Sequence, residues 1–303
     1  MTTMPFTKVV GTGNDFVIID NRRHRFDALN TQWKAVSRSL CDRHDGVGAD
    51  GVLLLESSNV ADVRMRVFNP DGTEAEMCGN GARCVGLYLK ETRDKRQGTG
   101  HGRITIESLA GVLSASVRRN RVAMRMMDPT ELTLGVSVPV GRRRLRLGFV
   151  NTGVPHAVVP VPSVDAVNVQ RVGGTLRYHR HFAPRGTNVN FIQRRPGASH
   201  RIKIRTYERG VEEETLACGT GVVASAIIYA LTTLSRTSHG QVSRNGHVKR
   251  FSIDVETRSQ DRLTVSFAVL AGGRHPQVTD VVLEGDARVV FEGSVEWPKR
   301  RGG

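Results

Sequence analysis

Two cysteines stand where acid–base chemistry could be done. In EAEMCGNGARC, residues 74–84, Cys78 precedes Gly-Asn-Gly; in ETLACGTGVVASA, residues 214–226, Cys218 precedes Gly-Thr-Gly, 140 residues on (218 minus 78). Each glycine pair lets the main chain turn sharply and lets a ligand approach it. Each also opens an apolar stretch that reads as a helix, ARCVGLYLKET and GVVASAIIYALTTL. The first N–H groups of a helix lack partners and carry partial positive charge. Such a place holds an anion such as a carboxylate and favours thiolate over thiol. If two such helix ends hold one carboxylate, their cysteines flank the neighbouring carbon. One cysteine, as thiolate, removes the α-proton. The other, as thiol, returns a proton to the opposite face, and the centre inverts. Backbone donors aimed at the carboxylate stabilise the charge that develops on it. One such cysteine alone would equally be a small buried hydrophobe before a helix; two in matching contexts carry the chemical reading.

The elements around the two motifs share a plan. VRMRVFNPDG and HRIKIRTYERG each alternate as strands and end in a glycine turn. Each is followed by acidic residues, the Cys-Gly-x-Gly turn and a helix, which is an internal repeat, with the second loop longer. FTKVVGTGNDFVIIDNRR reads as strand, glycine turn, strand; its GTGND lacks the third glycine and the following helix of a dinucleotide fingerprint. Residues 31–43 have helical spacing at Trp33, Val36 and Leu40, and HDGVGADGVLLLE enters a buried strand through a turn. A proline near 126–132 marks a boundary. Strand-rich halves with one or two helices each predict an α+β fold and exclude a doubly wound sheet.

The chain has 303 residues and 39% hydrophobic content, enough for two ordinary domains with cores. GVVASAIIYAL falls short of the ~20 apolar residues of a membrane span. The opening MTTMPFTKVVGTG lacks the apolar run of a secretory leader, so a soluble cytoplasmic protein is expected. Cys41 and Cys84 lie in apolar company and read as core; no cysteine or histidine spacing suits a metal. Nothing marks a Schiff-base lysine, so no cofactor is expected. The net charge is +15, and 37 of the 44 basic residues are arginine. They are scattered, with one triple at 142–144 and a tail at 298–303, and no nucleic-acid-binding motif accompanies them. A solvated basic surface is the better reading; a basic nucleic-acid-binding protein is the alternative from another class.

GTGNDF, FNPDGTEAEMCGNGARC, GVPHAV, TNVNF, YERG and LACGTG occur here in the order seen in the diaminopimelate epimerase family. The resemblance runs from about residue 5 to EGDARVVFEG. It implies two pseudo-symmetric α+β domains, each a β-barrel-like sheet around a central helix. Residues 1–128 would form the first and 129–282 the second, with a last strand at about 283–297 packing back on the first. It also implies a cofactor-independent homodimer that interconverts LL- and meso-diaminopimelate for lysine and cell-wall precursors. By position, Cys78 resembles the proton donor and Cys218 the proton acceptor for the LL-to-meso direction. Gly79, Asn80, Gly219 and Thr220 match positions that hold the reacting head. Asn14, Asn69, Asn188, Glu208 and Arg209 match other substrate positions, and an Arg fork suits a carboxylate. His156 and Glu208 match positions that tune the cysteines, and Phe291 a dimer contact. Two positions depart from the family pattern: Val154, where many members have asparagine, and Gly51, where some have glutamine. A proline- or histidine-type racemase of the same fold is the rival; Asn80 and the Glu208–Arg209 pair speak against the proline type.

Overall fold

The computed structural model describes residues 2–27, 32–97, 102–141, 143–234, 241–242, 248–270 and 276–297. Arg142 and the basic tail at 298–303 lie outside the described residues. The chain forms two compact units, Met1–Met124 with Gly285–Gly303, and Arg125–Glu284.

The first unit opens with β1 (Thr2–Gly11) and β2 (Asn14–Asp20). They form an antiparallel hairpin closed by Thr12 and Gly13, both left-handed at φ 49° and 78°. This is the turn that matches strand twist, and a β-branched residue adopts it only when its surroundings hold it there. Then follow α1 (Trp33–Cys41), β3 (Gly51–Glu56), β4 (Val63–Phe68), β5 (Glu74–Ala75), α2 (Gly79–Gln97), β6 (Ile104–Ser108), β7 (Gly111–Arg118) and β8 (Arg121–Arg125). β3 is an unbroken apolar run because it pairs parallel with β2 on one side and antiparallel with β4 on the other. β4 alternates, burying Val63, Met65 and Val67.

The second unit contains β9 (Thr130–Val140), β10 (Arg143–Asn151), β11 (Pro155–Pro160), α3 (Val169–Arg177), β12 (Asn188–Arg194) and β13 (Arg201–Glu208). It continues through β14 (Glu213–Thr215), α4 (Gly219–Tyr229), β15 (Gln241–Val242), β16 (Val248–Glu256), β17 (Arg262–Leu270) and β18 (Gln277–Asp286). β19 (Arg288–Trp297) returns to the first unit and pairs antiparallel with β1, from Thr2↔Trp297 to Val10↔Arg288.

The two units repeat one topology strand for strand. In the first, β1–β2 is antiparallel, β2–β3 parallel, β3–β4 antiparallel, β4–β6 parallel and β6–β7 antiparallel. In the second, β10–β11, β11–β12, β12–β13, β13–β16 and β16–β17 follow the same alternation. Register fixes residue equivalences. Phe16 opposite Gly51 corresponds to His156 opposite Asn188, and Leu53 opposite Val67 to Asn190 opposite Thr206.

Helix α4 shows why this fold encloses a helix. Every residue from Gly221 to Tyr229 is buried, and the helix touches β10, β11, β12, β13, β16 and β17. A helix apolar all round must be surrounded, and each fully buried Val or Ile contributes about 1.5–3 kcal/mol. Gly148 of β10 lets the sheet close on it, since a Cβ there would lie 2.5 Å from Ile228. α2 is placed the same way against β1, β2, β4, β6, β7 and β19. The fold is α+β.

Helix α3 had no counterpart in the sequence reading. Its VQRVGGTLR is interrupted by two glycines, which count against a helix. Gly173 is there because α3 lies so close to β13 that a Cβ would stand 2.5 Å from that of Tyr207. Asn168 caps it, its Oδ1 accepting from the N–H of Arg171 at 3.0 Å. In the repeat, α3 takes the place of α1, between the second and third strands.

Candidate active site

In the first unit Cys78 is half-buried at the start of α2. Its sulfur accepts from the Gly81 N–H at 3.3 Å, so thiol and helix end are in contact as the glycine turn predicted. Asn80 is buried and lies in a directed chain of amides. Arg83 donates to Asn80 Oδ1 (2.5 Å), Asn80 Nδ2 donates to Asn14 Oδ1 (2.6 Å), and Asn14 Nδ2 donates to Asp50 (3.0 Å). Arg43 bridges Asp50 and Asp15, and Lys8 donates to Asp15 and to the Gly48 carbonyl. These cations hold Asp15 down at about 2 against the opposing effect of burial. The left-handed Thr12 is pinned here too, its hydroxyl accepting from Arg83 at 2.8 Å and its carbonyl from Asn80 at 3.4 Å. Asn69 stands apart from this chain, with its amide bound to Thr73 within its own turn. Gly79 has nothing within 4 Å of a would-be Cβ, so the helix end is open there. Gly51 lies between Phe16 and the Phe68 carbonyl, where a Cβ would stand 2.9 Å from that oxygen. A longer side chain does not fit without a backbone shift.

In the second unit Cys218 is the N-cap of α4. Its sulfur lies 3.5 Å from Thr220 Oγ1, which lies 3.0 Å from His156 Nε2. His156 Nδ1 meets Asn190 Nδ2 at 3.0 Å. Asn188 binds the Pro155 carbonyl (3.1 Å) and accepts from the Arg209 N–H (2.8 Å), while the Arg209 guanidinium donates to the Arg185 carbonyl (3.2 Å). Glu208 is partly buried beside these groups. Cys218, Thr220, His156, Asn188, Glu208 and Arg209 therefore form one cluster, and Gly219 opens the helix beneath it. Val154 belongs to the turn before β11, where its carbonyl accepts from the Thr152 N–H at 3.2 Å. Phe291 is on β19, exposed and edge-on to Phe6 at 5.8 Å.

Electrostatics correct one expectation. The helix end was expected to lower the Cys218 pKa; instead burial, then the Glu208 carboxyl, push it up to about 12. The hydroxyl of Thr220 and the first N–H groups of α4 oppose this but do not outweigh it. Burial likewise raises Glu208. His156 is driven down to about 3 by burial and then by Arg209, so it is neutral at physiological pH. Cys41 and Cys84 are buried, with pKa values raised by desolvation to about 11 and about 12. They are core, as expected.

A stability prediction follows from His156. A histidine whose folded pKa lies below its unfolded value contributes stability above that value and loses it as pH falls towards the folded one. Between pH 6.5 and about 3 the unfolded state binds a proton that the folded state refuses. Acid should therefore destabilise the protein by a few kcal/mol over this range, since each tenfold difference in proton affinity is worth on the order of 1.4 kcal/mol. His156→Gln should flatten the dependence of urea midpoint on pH between 6.5 and 4; an unchanged slope would show that other groups set it.

Several supporting residues were not identified from sequence. Thr12, Arg83, Asp15, Asp50 and Arg43 hold Asn80 and Asn14, while Asn190 and Thr206 stand behind His156. The only local signal was a polar residue inside an apolar strand, as in NVNFI. Among the described residues no cluster of His, Cys, Asp and Glu could hold a metal ion. Among them, too, no helix is long and apolar enough to cross a membrane. Some of the arginines are paired across strands, as in Arg66–Glu74 at 2.7 Å and Arg205–Glu214 at 2.6 Å.

Comparison with known proteins bears on this arrangement. The family model described as diaminopimelate epimerase matches residues 6–133 and 148–264. The diaminopimelate epimerase of Aquifex aeolicus is 40% identical over 302 residues, covering 96% of this chain and 97% of that protein. That of Hydrogenobaculum is 36% identical, over 97% of this chain and 99% of that protein. Among solved structures, a PhzF-family phenazine biosynthesis protein from Bacillus anthracis aligns with a TM-score of 0.66 at 19% identity, covering 98% of this chain and 100% of that one. A hydroxyproline epimerase from Agrobacterium vitis aligns at 0.63 and 18%, covering 97% and 91%. At such identities these two show the fold alone. With the family model and full-length relatives in agreement, the chain belongs to the diaminopimelate epimerase family.

Proposed function

We propose that the protein is an isomerase that interconverts LL- and meso-diaminopimelate with two thiols and no cofactor. The observation that carries the reading is a cysteine at the start of the same helix in both copies of one repeated topology. In the LL-to-meso direction the Cys218 thiolate takes the α-hydrogen as a proton. The electron pair left on carbon is delocalised into the substrate carboxylate, towards helix N–H donors at Gly79, Asn80, Gly219 and Thr220. The Cys78 thiol then gives its proton to the opposite face. The enzyme ends with Cys218 as thiol and Cys78 as thiolate, and the reverse reaction exchanges the roles.

The raised pKa of Cys218 supports a substrate-assisted start. The Glu208 carboxyl is one of the groups that disfavour the thiolate. An ammonium bound to Glu208 cancels that repulsion, so the thiolate forms when substrate is present. Arg209 suits a carboxylate by its two-pronged donor geometry. Asn14, Asn69 and Asn188 complete the substrate contacts in this reading, and His156 tunes Cys218 through Thr220. Phe291, exposed on β19, is the proposed contact of a homodimer, which mass by light scattering would check. A cytoplasmic setting belongs to the same reading.

Purified protein without added cofactor should exchange the α-hydrogen of diaminopimelate for solvent deuterium and convert LL to meso. Proline or histidine turned over faster than diaminopimelate would move the protein to a sister activity of the fold.

A further inference from the structure

One buried polar pair is not accounted for by substrate contacts. Asn190 and Thr206 face each other across β12 and β13, almost wholly inaccessible, and Thr206 Oγ1 donates to Asn190 Oδ1 at 3.0 Å. The first unit has Leu53 and Val67 at the equivalent positions, an ordinary apolar pair beneath α2. The same fold is thus satisfied by hydrocarbon at this point. Burying an amide and a hydroxyl instead brings no net stability, since matched apolar groups of similar shape are as good or better.

The pair does differ in what it can orient. Asn190 has its Oδ1 taken by Thr206, and its Nδ2 lies 3.4 Å from the Ala157 carbonyl, which can only accept. The amide is therefore fixed with Nδ2 towards His156 Nδ1, at 3.0 Å. A nitrogen that receives an N–H must be the unprotonated one, so the imidazole proton sits on Nε2. Nε2 then donates to Thr220 Oγ1, and that hydroxyl is left to spend its own hydrogen on the Cys218 sulfur. Each bond sets the direction of the next.

We propose that Asn190, braced by Thr206, is a positioning residue that locks His156 as the Nε2–H tautomer and so aims the Thr220 hydroxyl at Cys218 as a hydrogen-bond donor. An O–H donor to sulfur favours the thiolate. It partly offsets burial and the Glu208 carboxyl, which oppose ionisation at the same atom. The neutral state of His156, held by burial and by Arg209, keeps the chain in this one direction. The first unit has Phe16 where the second has His156 and needs no such brace. The proposal rests on the reading of Cys218 as a reacting thiol only for its effect on turnover.

The test transplants the first unit's pair into the second, as Asn190→Leu with Thr206→Val. The double variant should fold and melt within a few degrees of the parent, because the apolar pair fills the same space while His156 Nδ1 loses its donor. Cys218 alkylation by iodoacetamide at pH 8, read by mass spectrometry of its peptide, should slow about tenfold, as the thiolate becomes that much scarcer. kcat should fall by a similar factor with KM nearly unchanged. With Thr220→Val already present, the transplant should slow alkylation no further, because the chain is already cut. Unchanged alkylation, or equal slowing in the Thr220→Val background, would overturn the proposal. Should the transplant not fold, nitrogen-15 spectra of the unaltered protein decide. They should show His156 protonated on Nε2 at neutral pH, and a proton on Nδ1 would overturn the proposal. Alkylation and spectra need no substrate, so this idea and the assignment of substrate fail separately.

Discussion

Cys78→Ala and Cys218→Ala are each expected to remove net epimerisation, by roughly a hundred- to ten-thousandfold, the usual worth of a positioned acid or base. Each should nevertheless keep half of the chemistry. With Cys218 intact, the Cys78→Ala enzyme can still take the α-proton of the LL isomer and return a deuteron to the same face. It should wash deuterium into LL-diaminopimelate without inverting it and leave the meso isomer untouched. Cys218→Ala should do the converse, exchanging meso and sparing LL. Full epimerisation by either variant would falsify the two-thiol reading. Exchange of both isomers by one variant would point to a single base that reaches both faces. The experiment also orders the roles, because the isomer labelled by each variant identifies the face that its remaining sulfur serves.

The second large effect is expected at Gly221, the third residue of α4. A methyl there would run into Asn190 Oδ1 and stand 3.4 Å from the Cys218 sulfur. Asn190 cannot retreat, because Thr206 and His156 hold it from two sides. Alanine favours a helix over glycine by about 0.5–1 kcal/mol, while overpacking a core costs about 1–3 kcal/mol. The two oppose, so Gly221→Ala should lose at most a few degrees of melting temperature. Activity should fall about a hundredfold, since the clash pries apart the groups that orient the thiol and these act as a unit. Gly79→Ala is the contrast. Nothing lies near its Cβ, so it should fold fully and raise KM by narrowing the way to the helix end. A Gly221→Ala enzyme with parental kcat would mean that Asn190 and Cys218 do not need their observed spacing.

The sequence made the two glycine-cysteine turns legible because only a few residue types can occupy a tight strand-to-helix junction. It also showed the strands, since Val63, Met65 and Val67 alternate with arginines. Helix α3 was hidden because Gly173 answers to Tyr207, 34 residues away (207 minus 173), and not to its own helix. The rise in the Cys218 pKa was hidden because desolvation depends on how completely strands close around α4. A helix-end argument sees only the local dipole. Asn190 was hidden most completely. In NVNFI it is one polar letter among several, and its departure from Leu53 appears only when register aligns the two units.

Strand β19 carries a consequence for biogenesis. The second unit is continuous in the chain, from Arg125 to Glu284. The first unit is not, because β1 acquires its partner β19 only after the whole second unit has been made. From Met124 to Arg288 translation adds 164 residues (288 minus 124), roughly ten to thirty seconds at cellular rates. Throughout that interval the outer edge of β1 offers unpaired N–H and C=O groups, a template for wrong partners. The nascent chain therefore completes its later half first and carries an unpaired sheet edge while doing so.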